Sequence, residues 1–144
     1  MDERIDDVSQ IKNWKDSISF HYRYTTGLAG KRFFEAIIEG KVLASRCMRC
    51  KTIFLPPRIY CLKCYSKIED FVELKGKGFV SAIAEKKVKG KILRYAFITF
   101  EGVTGGLIHT VKKGVGVGDR VKPLFVPKER RKGELSDIVT FVKA

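Results

Sequence analysis

Apolar and polar positions along the chain fall into segments with different periods, and each period predicts a different element. Over residues 1–16, Ile5, Val8, Ile11 and Trp14 recur three apart, with Asp2, Glu3, Asp6 and Asp7 gathered near the start. That spacing, with negative charge at the positive end of the helix dipole, predicts a short helix. Ile18, Phe20, Tyr22 and Tyr24 then alternate with polar residues in extended spacing, until Gly27 and Gly30 break the run. From Lys31 to Glu39, Phe33, Phe34, Ile37 and Ile38 share one helical face, and Gly40 is placed to end the helix. Val42 to Arg46 and Thr52 to Leu55 read as short strands, followed by Pro56-Pro57, which forces an extended path. After residue 70 the pattern becomes strands between turn signals. The predicted strands are Gly78 to Lys86, Ile92 to Phe100, Gly105 to Val111, Arg120 to Val126 and Ile138 to Val142. Lys128 to Asp137, with almost no apolar residue, reads as a mobile polar loop.

The cysteines add the next constraint. Cys47 and Cys50 form one CxxC, Cys61 and Cys64 another, and these are all four cysteines of the chain. Two such turns brought face to face supply a tetrahedron of thiolates at about 2.3 Å from zinc, and iron fits the same spacing. Four protein ligands leave no position for a substrate or water, so the predicted site is structural. Two disulfides would need an oxidising compartment, whereas the chain opens on charged residues without an apolar leader, which leads us to expect a reduced, cytoplasmic protein. The expected fold class is mainly β with N-terminal helices: a rubredoxin-like zinc ribbon followed by a five-stranded OB-fold barrel, with an SH3-like barrel as the competing architecture. The division that follows is a helical and extended lead over 1–40, the ribbon over 41–70 and the barrel over 71–144.

Composition narrows the function. No apolar run reaches the roughly 20 residues that span a bilayer. The net charge of +13 is uneven: residues 71–144 carry 16 basic and 7 acidic side chains. Such a field attracts polyanions, whether nucleic acid, an anionic surface or a phosphorylated cofactor. Arg46, Arg49, Lys51, Arg58 and Lys63 surround the cysteines, where they would also offset the net negative charge of four thiolates on a divalent ion. For catalysis the chain offers little. All four cysteines are committed to metal, and His21 and His109, the two histidines, sit in no recognisable motif. Gly114-Val-Gly-Val-Gly118 lacks the Lys-Ser/Thr of a phosphate-binding P-loop and reads as a turn. The expectation is a protein that is not an enzyme.

Taken together, Arg23-Tyr24, Gly27-Leu-Ala-Gly30, Phe33-Phe34, Gly40-Lys-Val-Leu43, both CxxC pairs, Pro56-Pro57-Arg58 and Gly76-Lys-Gly78 resemble a family of small thiolase-associated proteins. Its members join a rubredoxin-like zinc ribbon to an OB-fold. The chain departs from the family in one respect: Lys51 and Tyr65 stand where a glycine usually follows each second cysteine, at a backbone position that favours positive φ. The resemblance implies a non-catalytic, acyl-CoA-binding scaffold that in archaea bridges acetoacetyl-CoA thiolase and hydroxymethylglutaryl-CoA synthase. On that reading Lys86, Lys87, Lys89, Lys91, Lys112 and Lys113 are candidate partners for the phosphates of CoA. Phe20, Tyr22, Tyr24, Phe33 and Phe34 are candidates for contact with a protein partner. A second reading stands beside it, a single-stranded nucleic-acid-binding module, since an OB barrel with basic loops is a known platform. Phe79, Tyr95, Phe97, Phe100, Phe125 and Phe141 can all be read as barrel core, which leaves no separable aromatic stripe for stacking.

Overall fold

The computed structural model describes residues 15–144. The helix expected over 1–16 therefore lies outside the described residues, apart from its last two positions. Ile18 to Tyr24 form neither helix nor strand, and their four large apolar side chains are exposed, Tyr24 at 85%. The rings of Tyr22 and Tyr24 meet edge to face at 5.0 Å.

The one α-helix among the described residues, α1, spans Gly27–Ile38, so it begins four residues before the predicted start. Gly30 does not break it. A Cβ at Gly30 would lie 2.9 Å from that of Thr26, so the glycine is what lets the first turn close on the incoming chain. Ala29, Phe33 and Ile37, spaced four apart, bury one face. The C-terminus is a Schellman closure, in which Lys41 N–H donates to Ala36 O and Gly40 N–H to Ile37 O, both at 2.9 Å, with Gly40 at φ +75°.

Nine strands follow. β1 (Leu43–Arg46), β2 (Ile53–Leu55) and β3 (Asp70–Glu73) belong to the ribbon; β4 (Gly78–Val88), β5 (Lys91–Thr99), β6 (Val103–Gly105), β7 (Leu107–Thr110), β8 (Arg120–Phe125) and β9 (Ile138–Lys143) follow it. The predicted strand Gly105 to Val111 corresponds to β7, while β6, which reaches it only at Gly105, was not predicted and joins a different sheet. β6 pairs in parallel with β2, giving a four-stranded sheet in the order β3-β1-β2-β6, while β7 pairs with β5. Gly105 and Gly106 make this switch because a Cβ on the first would overlap Leu55 O and on the second Ile98 O.

The second sheet has the order β7-β5-β4-β8-β9 and closes on itself where Val111 bridges Phe141 in parallel. Five strands in this order, closed between β7 and β9, are consistent with an OB-like barrel. Ribbon and barrel are not separately packed. Phe33 and Ile37 of α1, Val42 and Leu55 of the ribbon, and Val80, Ile98, Val121, Ile138 and Phe141 of the barrel form one buried cluster. A smaller cluster, Cys47, Phe54, Cys61 and Ile68, lies under the cysteines.

The segment from Lys128 to Asp137 corrects the expectation of a mobile loop. It forms two short 3₁₀ turns, Lys128–Arg130 and Leu135–Asp137. Between them Arg131 donates from Nε to Val126 O at 2.9 Å and from Nη1 to Ile38 O at 3.0 Å, and its guanidinium lies 5.2 Å over the Phe125 ring. Asp137, only 3% exposed, accepts N–H bonds from Lys132, Gly133 and Glu134. Polar side chains here bind backbone, so the segment is held without apolar residues.

Candidate functional site

The two CxxC turns are the same structure built twice. In the first, Cys47 N–H donates to Thr52 O and Lys51 N–H to Cys47 O; in the second, Cys61 N–H donates to Ser66 O and Tyr65 N–H to Cys61 O. Lys51 and Tyr65 take φ of 61° and 57°, the left-handed conformation expected at these two positions despite their side chains. The four sulfurs lie within 4.8 Å of one another, with Cys47 to Cys64 at 3.5 Å and Cys50 to Cys61 at 3.4 Å. Zinc–sulfur bonds of about 2.3 Å imply tetrahedral sulfur separations of about 3.8 Å, so the donor set fits a four-thiolate ion.

The surroundings favour the thiolate at two of these cysteines and oppose it at a third. The Cys47 thiol is lowered to about 6 by the Cys50 backbone N–H and the Ser66 hydroxyl, which outweigh its burial. The Thr52 hydroxyl and backbone lower that of Cys50, and burial raises that of Cys61. Ser66 Oγ lies 2.9 Å from Cys64 Sγ and 3.3 Å from Cys47 Sγ, so one hydroxyl serves both turns. Of the surrounding cations, Arg46 is committed to Asp70 at 2.6 Å across β1 and β3. Arg49, Lys51, Arg58 and Lys63 are exposed.

Beside the ribbon, an apolar groove of about 630 Å³ runs between the start of α1, the Pro56-Pro57-Arg58 segment and the barrel. Leu28, Phe34, Tyr60, Leu62 and Leu135 line it. The candidate partner residues divide here. Phe20, Tyr22 and Tyr24 are exposed and Phe34 is half-buried in the wall, but Phe33 is 5% exposed and belongs to the core. Leu28, Tyr60 and Leu62 were missed by the sequence reading; their exposure on a folded surface carries no periodic signal.

The candidate phosphate-binding lysines separate into two groups. Lys86, Lys87, Lys89 and Lys91 are exposed along the β4–β5 hairpin, and Lys112 and Lys113 follow β7. Lys113 shares a cleft of about 840 Å³ with Ile92, Leu93, Arg94 and Val115. His109 packs against Phe141 at 5.7 Å, with Nε2 at 3.3 Å from Leu135 O and Nδ1 at 3.3 Å from Thr110 Oγ1. Of the aromatics read as barrel core, Phe100 and Phe141 are buried, Phe79 and Phe125 are half-buried, and Tyr95 and Phe97 are exposed on the outside.

Comparison with known proteins bears first on the ribbon. Residues 34–69 match the ChsH2 rubredoxin-like zinc ribbon domain. Among solved structures, the chain is similar to a Sulfolobus solfataricus protein of unknown function from the DUF35 family. The two are 27% identical over 82% of this chain and 87% of that one, with a TM-score of 0.68. It is also similar in fold to a chain described as "Ltp2-ChsH2(DUF35) aldolase", 20% identical, covering 84% of this chain and 98% of that one, with a TM-score of 0.62. No curated protein matches the chain. Among the described residues, no helix is long and apolar enough to cross a membrane.

Proposed function

We propose that this chain is a non-catalytic accessory subunit of acyl-CoA metabolism, a scaffold that binds acyl-CoA and holds a thiolase and a hydroxymethylglutaryl-CoA synthase together. The observation that carries the reading is the pairing of a closed four-cysteine centre with an open apolar surface beside it. The centre has its coordination filled by protein, so it holds structure and leaves the chemistry to another chain. The groove and the exposed Phe20, Tyr22 and Tyr24 are apolar surface of the kind that marks a protein contact. The ribbon's likeness to ChsH2, and the fold shared with a DUF35 chain described together with Ltp2 as an aldolase, support a role inside an enzyme assembly. Zinc, if bound, would be held by Cys47, Cys50, Cys61 and Cys64, where it would fix the two turns.

The lysines of the hairpin and of the segment after β7 would meet the diphosphate and the phosphorylated ribose of CoA. The test is co-purification. Thiolase and hydroxymethylglutaryl-CoA synthase should remain with the chain at stoichiometric levels through salt washes that strip screened contacts, and CoA should compete better than an oligonucleotide of similar charge. The nucleic-acid reading expects the reverse: tight oligonucleotide binding that falls steeply with salt, at about 0.7 log units per neutralised phosphate for each log unit of salt, and no enzyme partner.

A further inference from the structure

The outer face of the barrel, formed by β4, β5 and β7, carries a row of side chains that the core does not use. Cross-strand partners share a face, so the pairing identifies this one. Ala82 pairs with Phe97 and Phe97 with Ile108; Ala84 pairs with Tyr95 and Tyr95 with Thr110; Lys86 pairs with Leu93. The intervening rows, Val80, Ile98 and Leu107, or Ala96 and His109, point the other way, into the barrel. Leu93, Tyr95 and Phe97 thus form a stripe down the middle strand, each 37% exposed, beside Ile108 at 73%. Among the described residues, nothing covers it.

The charge around the stripe has one sign. Lys86 and Lys91 lie on the same face, and Lys87 and Lys89 complete the end of the hairpin. Among the described residues, these outward rows hold no carboxylate. Glu85 points the other way, held by Arg94 at 2.8 Å. A second copy of this chain, at +13, would meet like charge.

We infer that this face is a second protein-docking surface, fitted to an acidic partner whose carboxylates surround an apolar centre. An apolar middle with a charged rim is the anatomy of a protein interface. The aliphatic groups of Ala82, Ala84, Leu93 and Ile108 offer neither hydrogen bonds nor π faces, which suits packed side chains better than stacked bases. The surface shares no residue with the apolar groove at α1, so it is a contact separate from that groove. The inference rests on the bridging role proposed above and gives it its second contact.

The experiment reconstitutes the full-length chain with purified thiolase and hydroxymethylglutaryl-CoA synthase and measures each affinity by titration. Ile108→Asp, and separately Lys86→Glu with Lys91→Glu, should weaken one of the two enzymes by about tenfold or more and leave the other within about twofold. Leu28→Asp in the groove should show the opposite pattern. All three altered positions on the barrel are exposed, and unchanged melting temperature and metal content would show that each variant folds. The affected enzyme should also lose affinity as salt rises. Both enzymes binding every barrel variant as they bind the wild type would overturn the inference and leave the scaffold standing. Neither enzyme binding the wild type would sink the scaffold reading, and this assignment with it. Tight binding of a 20-nucleotide oligo(dT) that Ile108→Asp abolishes would make the face a nucleic-acid platform instead.

Discussion

Replacing Gly105 with alanine tests whether ribbon and barrel are one unit. Gly105 ends β6, opposite Leu55 of β2, at φ +91°, and a Cβ there would overlap the Leu55 carbonyl oxygen. The left-handed backbone alone costs a non-glycine residue about 1–2 kcal/mol. The overlap adds to that: β6 must withdraw from β2, along a ladder that pairs Ile53 with Val103, Phe54 with Thr104 and Leu55 with Gly105. Ladder hydrogen bonds contribute about 0.5–1.5 kcal/mol each, so losing about two of them brings the total for Gly105→Ala to about 2–5 kcal/mol. Gly102 is the control, since it has φ +71° with nothing within 4 Å of a Cβ, and its alanine variant carries the strain alone. At this chain length 1 kcal/mol moves Tm by about 2–4 °C. Thermal unfolding followed by circular dichroism should therefore show a fall of roughly 10 °C for Gly105→Ala and roughly 4 °C for Gly102→Ala. Equal shifts would refute the argument that the contact at Leu55 constrains the seam.

Three further outcomes follow from the geometry. Elemental analysis of protein prepared without chelator should give one metal per chain, zinc above iron; Cys61→Ser should release it and lower the melting of the whole chain, because Val42 and Leu55 share the barrel's core. Arg131→Ala should lower stability by about 1–3 kcal/mol in denaturant titration, since it frees two carbonyls and uncovers Phe125. Two carboxylates should shape the acid limb of stability. The Gly116 N–H and the Lys143 ammonium hold Asp119 below the ordinary carboxylate range; burial pushes Asp137 up, but three backbone N–H groups bring it below its usual value. A depressed folded-state value gives stability that is fully present above the unfolded value of about 3.9 and is lost as pH falls through the folded one. Melting curves between pH 2 and 6 should thus steepen below about pH 4, and Asp119→Asn with Asp137→Asn should flatten that limb.

The cysteine centre was legible because metal ligation fixes both residue type and spacing, and the left-handed backbone at Lys51 and Tyr65 was legible from the turn that the spacing demands. The five barrel strands were legible from alternation and turn residues. β3 was not, since Asp70-Phe-Val-Glu73 is half-buried and does not alternate. Nor was the switch at Gly105-Gly106, where two glycines inside an apolar run concealed a change of sheet rather than a continuous strand. Phe97 and Phe100 read alike in sequence, yet register sends one outward and one into the core. The surfaces that would meet partners depend on such differences, which composition does not record.

The clasp formed by residues 128–137 has a practical consequence for anyone altering the chain. By sequence it is the obvious place to insert a tag or accept a deletion: polar, charged and between two strands. In the fold it ties Ile38 at the end of α1 to Val126 at the end of β8 through one arginine, so its length is fixed by the distance it spans. Related sequences should vary little in length here and more freely at the Lys89-Gly90 tip, where a Cβ on Gly90 would meet nothing within 4 Å. A fluorophore or affinity handle belongs at that tip, where its bulk would also report on anything that docks against the neighbouring strands.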